Sequence, residues 1–215
     1  MTDEELIKYW RKHLRLPYEL SKEEIINFWN MECKPYSVRV DAVKELSNKY
    51  NINILIESGT YLGAMIDAVE NNFSKIFSIE LDEKLYQAAE LKYSDRAHIT
   101  IVSGDSAKMI PKILESIQEP CLFWLDGHYV PYTTDTARGE LDTPIMHELD
   151  YILSHPIKGH VILIDDARCF IGSNPVLNDY PTIQELESYI VNKRPDLSFE
   201  VKDDIIQIYC KSTIK

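Results

Sequence analysis

The chain has 215 residues, a formal net charge of −12 and an isoelectric point near 4.9. This length suits one large domain with a full buried core, and the acidic balance argues against a nucleic-acid partner, whose phosphates call for clustered Lys and Arg. No apolar run approaches the roughly 20 residues of a membrane-spanning helix, and Met1-Thr-Asp-Glu-Glu5 is unlike a signal peptide, so a cytoplasmic protein without a membrane partner is expected.

Residues 1–40 read as an N-terminal helical extension in front of a single domain over 41–215. Thr2-Asp-Glu-Glu5 and Ser21-Lys-Glu-Glu24 each fit the capping box that satisfies free amides at a helix start. Leu6, Tyr9 and Trp10, then Ile25, Ile26, Phe28 and Trp29, give these two helices an apolar face that must pack on something. A cover on the sheet is the expected role, with a substrate lid or a homodimer surface as the other roles open to it. A third helix is expected over about 38–50.

Strand and helix then alternate. Short apolar runs at about 53–57, 75–80, 98–103, 121–126 and 160–165 are each followed by a helical segment, the pattern of a parallel sheet covered on both faces. Asp82 is placed to cap a helix over 83–93, Thr143-Pro144 to open one over 144–154, and Thr182-Ile-Gln-Glu185 to open one over 182–193. The last two strands, 197–201 and 205–210, lie too close in sequence for a helical crossover and must pair antiparallel. Cys33, Cys121, Cys169 and Cys210 are far apart without a C-x-x-C pair, which suits reduced packing residues better than a zinc or redox centre.

The first strand ends in Glu57-Ser-Gly59-Thr-Tyr-Leu-Gly63. Glycines in such a turn reach backbone angles that a Cβ forbids and let the main chain approach a ligand closely, and the carboxyl end of the first strand of an open α/β sheet is a common nucleotide site. Glu80 ends the second strand, where an acid overlooks that turn and suits ribose hydroxyls. Asp105-Ser106 ends the third strand and can cap the next helix or present an acceptor and a donor to a purine edge. Asp126 ends the fourth strand and Asp165-Asp166 the fifth, with Arg168 the only basic residue beside them in sequence. Carboxylates so grouped favour a hard divalent cation such as Mg²⁺, the other reading being a solvated acidic rim. His128 suits a general base, with an ordinary pKa near 6.5; a metal ligand or an orienting group are its other readings. The remaining histidines read as structural or exposed. Segment 129–142 and the stretch from Arg168 to Pro175 form the expected acceptor pocket, with Tyr129, Tyr132 and Phe170 as ring-stacking candidates.

On these motifs, Glu57-x-Gly59-x-x-x-Gly63, Glu80, Gly104-Asp105-Ser106 and Leu122-Phe-Trp-Leu-Asp126, the chain over about 40–215 resembles the class I S-adenosylmethionine-dependent methyltransferases. The resemblance implies a Rossmann-like α/β fold: a seven-stranded, mostly parallel sheet ending in an antiparallel hairpin. It also implies that Gly59 and Gly63 approach the methionine end of the cofactor, Glu80 the ribose, and Asp105 and Ser106 the adenine, with Glu57, Thr60, Tyr61 and Leu81 completing the cofactor site. Tyr61 stands where the richer G-x-G-x-G turn carries its middle glycine. More narrowly, Asp126, Asp165 and Asp166 resemble the metal ligands of metal-dependent small-molecule and sugar O-methyltransferases of the macrocin O-methyltransferase kind. The expected function is methyl transfer to a hydroxyl of a small molecule or sugar, with Mg²⁺ or another divalent cation and with Asp126 and His128 as catalytic residues. A non-catalytic or metal-independent cofactor-binding protein of the same fold is one alternative. A nicotinamide-dependent oxidoreductase is another, but its G-x-G-x-x-G spacing is not met.

Overall fold

The computed structural model describes residues 35–129, 137–172 and 179–211. The two N-terminal helices expected before residue 35, together with Cys33 and Tyr132, lie outside the described residues. From residue 35 the order is α1 (Tyr36–Tyr50), β1 (Ile54–Ser58), α2 (Ala64–Val69), β2 (Lys75–Glu80), α3 (Glu83–Lys92), β3 (Ile99–Ser103) and α4 (Ser106–Leu114). It continues with β4 (Leu122–Leu125), α5 (Ile145–Ser154), β5 (Val161–Ile164), α6 (Ile183–Lys193), β6 (Leu197–Lys202) and β7 (Ile205–Cys210). Every strand matches an expected run to within two residues. Asp82 accepts from the amides of Lys84 and Leu85, and Thr182 with Glu185 forms a complete capping box, so these helix starts follow from local side-chain chemistry.

The seven strands form one sheet in the order β3-β2-β1-β4-β5-β7-β6, parallel from β3 to β5. Strand β7 runs antiparallel between β5 and β6. The hairpin turn puts Asp203 and Asp204 at φ 54° and 66°, the left-handed pair of a two-residue turn that short polar side chains tolerate. β1, β4 and β5 are buried at every position, as a central parallel strand covered on both faces requires.

Alternate residues divide the core in two. Leu55, Trp124 and Leu163 meet Val43 and Leu46 of α1 and Met65, Ile66 and Val69 around α2, while Ile56, Phe123 and Ile162 meet α4, α5 and α6. By the two-residue period of a strand, Glu57, Ser78 and Asp165 continue the rows of Leu55, Ile76 and Leu163 and face α1 at the carboxyl edge. Helix α1 runs back toward the start of β1, which brings its first turn to that edge. Cys121 and Cys169 are buried free thiols and Cys210 is partly buried and free, as packing residues should be.

Candidate active site

The turn after β1 is shaped by contacts a Cβ would not allow. Gly59 has φ +87°, and a Cβ there would lie 2.6 Å from the Asp126 carbonyl oxygen; at Gly63, φ +77°, it would lie 2.0 Å from the Tyr93 hydroxyl. Tyr61 between them also has positive φ, 47°, the conformation that explains why glycine is the easier residue there. Glu80 fixes this turn across the sheet. One of its carboxylate oxygens accepts from Tyr61 N at 2.8 Å and the other from Asp82 N at 2.8 Å, and each oxygen keeps a further lone pair for a ligand.

In front of this edge lies a cleft of about 580 Å³. Its lining comes from four neighbouring strand ends: Gly59 and Tyr61 after β1, Glu80 and Leu81 at β2, Asp105 and Ser106 after β3, and Asp126 and His128 after β4. Asp105 also caps α4 through Ala107 N at 3.0 Å. Three residues expected at the cofactor, Glu57, Thr60 and Gly63, are not among those that line the cleft. Gly63 packs on Tyr93, while Thr60 and Glu57 are buried and joined through Ser78, whose hydroxyl donates to Glu57 at 2.5 Å and lies 2.6 Å from Thr60 Oγ1. Burial pushes the Glu57 carboxyl up to about 8, against the opposing effect of the Ser78 hydroxyl. Glu148 of α5, on the other face of the sheet, is pushed up to about 7 by burial.

The acidic edge is not a solvated rim, the second reading of its sequence: Asp165 and Asp166 are buried. Arg39, in the first turns of α1, donates from Nε to Asp165 at 2.5 Å and from Nη2 to Asp166 at 3.1 Å. Arg168 Nη1 binds Asp166 at 2.7 Å and also Asp204 of the β6–β7 turn. Arg168, the only basic residue beside these carboxylates in sequence, is thus joined in the fold by Arg39 from a distant part of the chain. The charges alternate as Asp204, Arg168, Asp166, Arg39 and Asp165, tying the hairpin, the end of β5 and α1 together. Asp166 itself takes a left-handed conformation, φ 57°, of the kind that persists where the surroundings over-determine it.

His128 stands between two carboxylates, Nδ1 at 3.3 Å from Asp126 and Nε2 at 3.4 Å from Asp166. Burial alone would lower its pKa, but Asp126, Asp166 and Asp165 outweigh burial and push it up to about 9. Among the described residues, Asp126, His128 and Asp166 form a group whose ligand atoms all come within 4.8 Å of one another. Asp165, expected as the third carboxylate of a metal site, is instead engaged by Arg39 through Oδ2, while its Oδ1 is buried with no hydrogen-bond partner among the described residues. Burial and the neighbouring Asp126 and Asp166 raise its pKa, with Arg39 opposing.

Sequence reasoning missed several cleft residues. Lys108 of α4 and His147 and Tyr151 of α5 line it; the i, i+4 spacing of the last two was the available signal. It also missed Arg39, whose signal was a charged residue in the same helical stripe as Val43 and Leu46. Tyr129 is on the cleft wall. Phe170 is buried edge-to-face against Tyr180, with ring centroids 5.1 Å apart, so it belongs to the core and not to an acceptor pocket. No helix among the described residues is long and apolar enough to cross a membrane.

No family model matches the sequence, and no curated protein matches it significantly. Solved structures do match over nearly the whole chain. An O-methyltransferase from Bacillus cereus in complex with SAH superposes with TM-score 0.57 at 14% identity, covering 97% of this chain and 90% of that one. An O-methyltransferase from Streptomyces achromogenes involved in tomaymycin synthesis, in complex with SAM, gives 0.57 at 10% identity, covering 99% and 100%. An SAH-bound methyltransferase from Podospora anserina gives 0.55 at 14% identity, covering 97% and 95%. At these identities the likeness is one of fold, and the chain has the Rossmann-like fold of the class I methyltransferases.

Proposed function

We propose that the protein transfers a methyl group from S-adenosylmethionine to a hydroxyl of a small molecule or sugar. The observation that carries this reading is one continuous cleft lined by the Gly59 turn, Glu80, Asp105-Ser106, Asp126 and His128 together. It offers acceptors for ribose hydroxyls and groups for proton transfer. The fold it shares with structures described as O-methyltransferases holding SAM or SAH supports the same reading. When bound, the cofactor supplies a methyl group activated by its sulfonium. The chain's own part is to hold donor and acceptor in line, which removes the entropy of a bimolecular encounter, and to take up the acceptor's proton. Glu80 with Asp105 and Ser106 would do the first for the cofactor, and His128, oriented by Asp126, does the second. The acidic charge of −12 supports a small acceptor and not a nucleic acid, and a cytoplasmic setting goes with it.

A divalent cation belongs to the narrower form of this proposal, with a changed ligand set. Its holders would be Asp126, His128 and Asp166, an imidazole with two carboxylates, which suits Mn²⁺, Fe²⁺ or Zn²⁺ as well as Mg²⁺. There the ion would acidify the acceptor hydroxyl and fix its position.

Calorimetric titration with S-adenosylhomocysteine and, separately, with NAD tests the reading. Binding of the first and not the second is expected, and no binding of S-adenosylhomocysteine would end it; a binder without turnover on any hydroxyl acceptor would instead favour the non-catalytic alternative. The pH dependence tests the base. Because His128 is held protonated up to about 9, kcat/KM should climb with pH and level off near that value. A profile flat from pH 6 to 9 removes His128 from the mechanism.

A further inference from the structure

Two features of the acidic edge are unexplained by methyl transfer. Arg39 is buried, with its side chain 7% exposed, and reaches two carboxylates 126 and 127 residues away in sequence. Asp165 is 6% exposed and keeps one oxygen with no hydrogen-bond partner among the described residues. An isolated buried carboxylate is costly unless a cation compensates it. Three carboxylates meet here, at the ends of β4 and β5, and a divalent ion is the usual solution to such a grouping. This chain supplies another: one guanidinium spans Asp165 and Asp166, and a second, Arg168, takes the same Asp166 oxygen that Arg39 does. Among the described residues, the other Asp166 oxygen meets no guanidinium and faces His128.

We infer that Arg39 is the built-in counter-cation of the Asp165–Asp166 pair, standing where a divalent ion would otherwise be bound, and that it sets the metal affinity of the neighbouring Asp126, His128 and Asp166 group. Charge and position both point this way. Arg39 fixes a positive charge within hydrogen-bond distance of one of the three candidate ligands and occupies the carboxylate that would be the fourth. An ion entering beside it meets a neutralised acid pair and a like charge at close range, where the local dielectric is low and the repulsion correspondingly strong. The same geometry makes α1 part of the site and not only a cover, since its first turns supply the charge on which the acid pair depends.

Metal alone tests this, whichever cofactor the cleft takes. Free Mn²⁺ is followed by electron paramagnetic resonance during titration of wild type, Arg39→Gln and Arg39→Lys, in the absence of any cofactor. Glutamine keeps a donor for Asp165 but removes the charge; lysine keeps the charge. Wild type and Arg39→Lys should bind weakly and alike, and Arg39→Gln at least about tenfold more tightly, with its melting temperature raised by Mn²⁺ while that of wild type stays put. Arg39→Gln protein that folds only in the presence of Mn²⁺ would give the same answer. Equal affinity in wild type and Arg39→Gln would overturn the inference. So would an Arg39→Gln chain that remains unfolded with Mn²⁺ present, because the acid pair would then depend on guanidinium geometry and not on its charge. Failure of wild type to bind S-adenosylhomocysteine would overturn the proposed function and leave this result standing.

Discussion

Glu80 shows how far one side chain can be understood from its place in the sequence. An acid at the end of β2 is readable as a ribose acceptor, but its second task is not. Both of its oxygens already hold main-chain amides, Tyr61 N at 2.8 Å and Asp82 N at 2.8 Å, the first across a separation that no local pattern reveals. Glu80→Ala should therefore weaken cofactor binding by about tenfold or more and also lower stability by roughly 1–3 kcal/mol, since two amides lose their acceptors. Calorimetry with S-adenosylhomocysteine and a thermal melt measure the two effects separately. Weakened binding with an unchanged melt would show that the turn does not depend on this carboxylate. Asp165 illustrates the opposite limit. Its position at a strand end was legible, but its partner sits on a helix that the sequence places in another part of the chain. Pairing between distant charges is a property of the assembled fold.

At the scale of elements, strand and helix positions were legible because burial on both faces demands continuous apolar runs and because caps mark helix starts by local chemistry. The antiparallel pairing of the last two strands followed from the short turn between them. The insertion of β7 between β5 and β6 did not, since nothing local in β7 distinguishes an inner from an outer place. The join between β1 and α2 is where one glycine decides the geometry. A methyl group at Gly63 would lie 2.0 Å from the Tyr93 hydroxyl in a chain already at φ +77°. Gly63→Ala should cost more than about 2 kcal/mol, the sum of overpacking and a left-handed alanine. Adding Tyr93→Phe should return part of it, because the hydroxyl is the nearest atom while ring carbon remains at 2.9 Å. Denaturant melts of the single and double variants measure the coupling; strictly additive costs would mean that α2 moves away from α3 instead of pressing on it.

Taken as a whole, the molecule carries titratable groups whose folded and unfolded states differ in the same direction. Burial raises Glu57 to about 8 and Glu148 to about 7 from 4.5, and the surrounding carboxylates raise His128 to about 9 from 6.5. A raised pKa means that the folded state binds the proton more tightly, so each contribution is present below the unfolded value and is lost as pH rises through the folded one. From pH 6.5 to 9 the melting temperature should fall, with stability dropping by at most about 1.4 kcal/mol per pH step of one for each proton that the folded state alone retains. Glu57→Gln, which cannot ionise, should flatten that decline. A melting temperature rising across the same range would contradict these environments.

The alternating charges that end at Asp204 also set an order of assembly. The residues lining the cleft run from 59 to 151, whereas the last link of the charge network, Asp204 to Arg168, comes from the turn between β6 and β7. During synthesis, Glu80 and Asp105 leave the ribosome roughly a hundred residues before Asp204, and Asp126 and His128 somewhat under eighty before it. A newly made chain thus carries every residue that lines the cleft before it carries the turn that closes the charge network at the acidic edge.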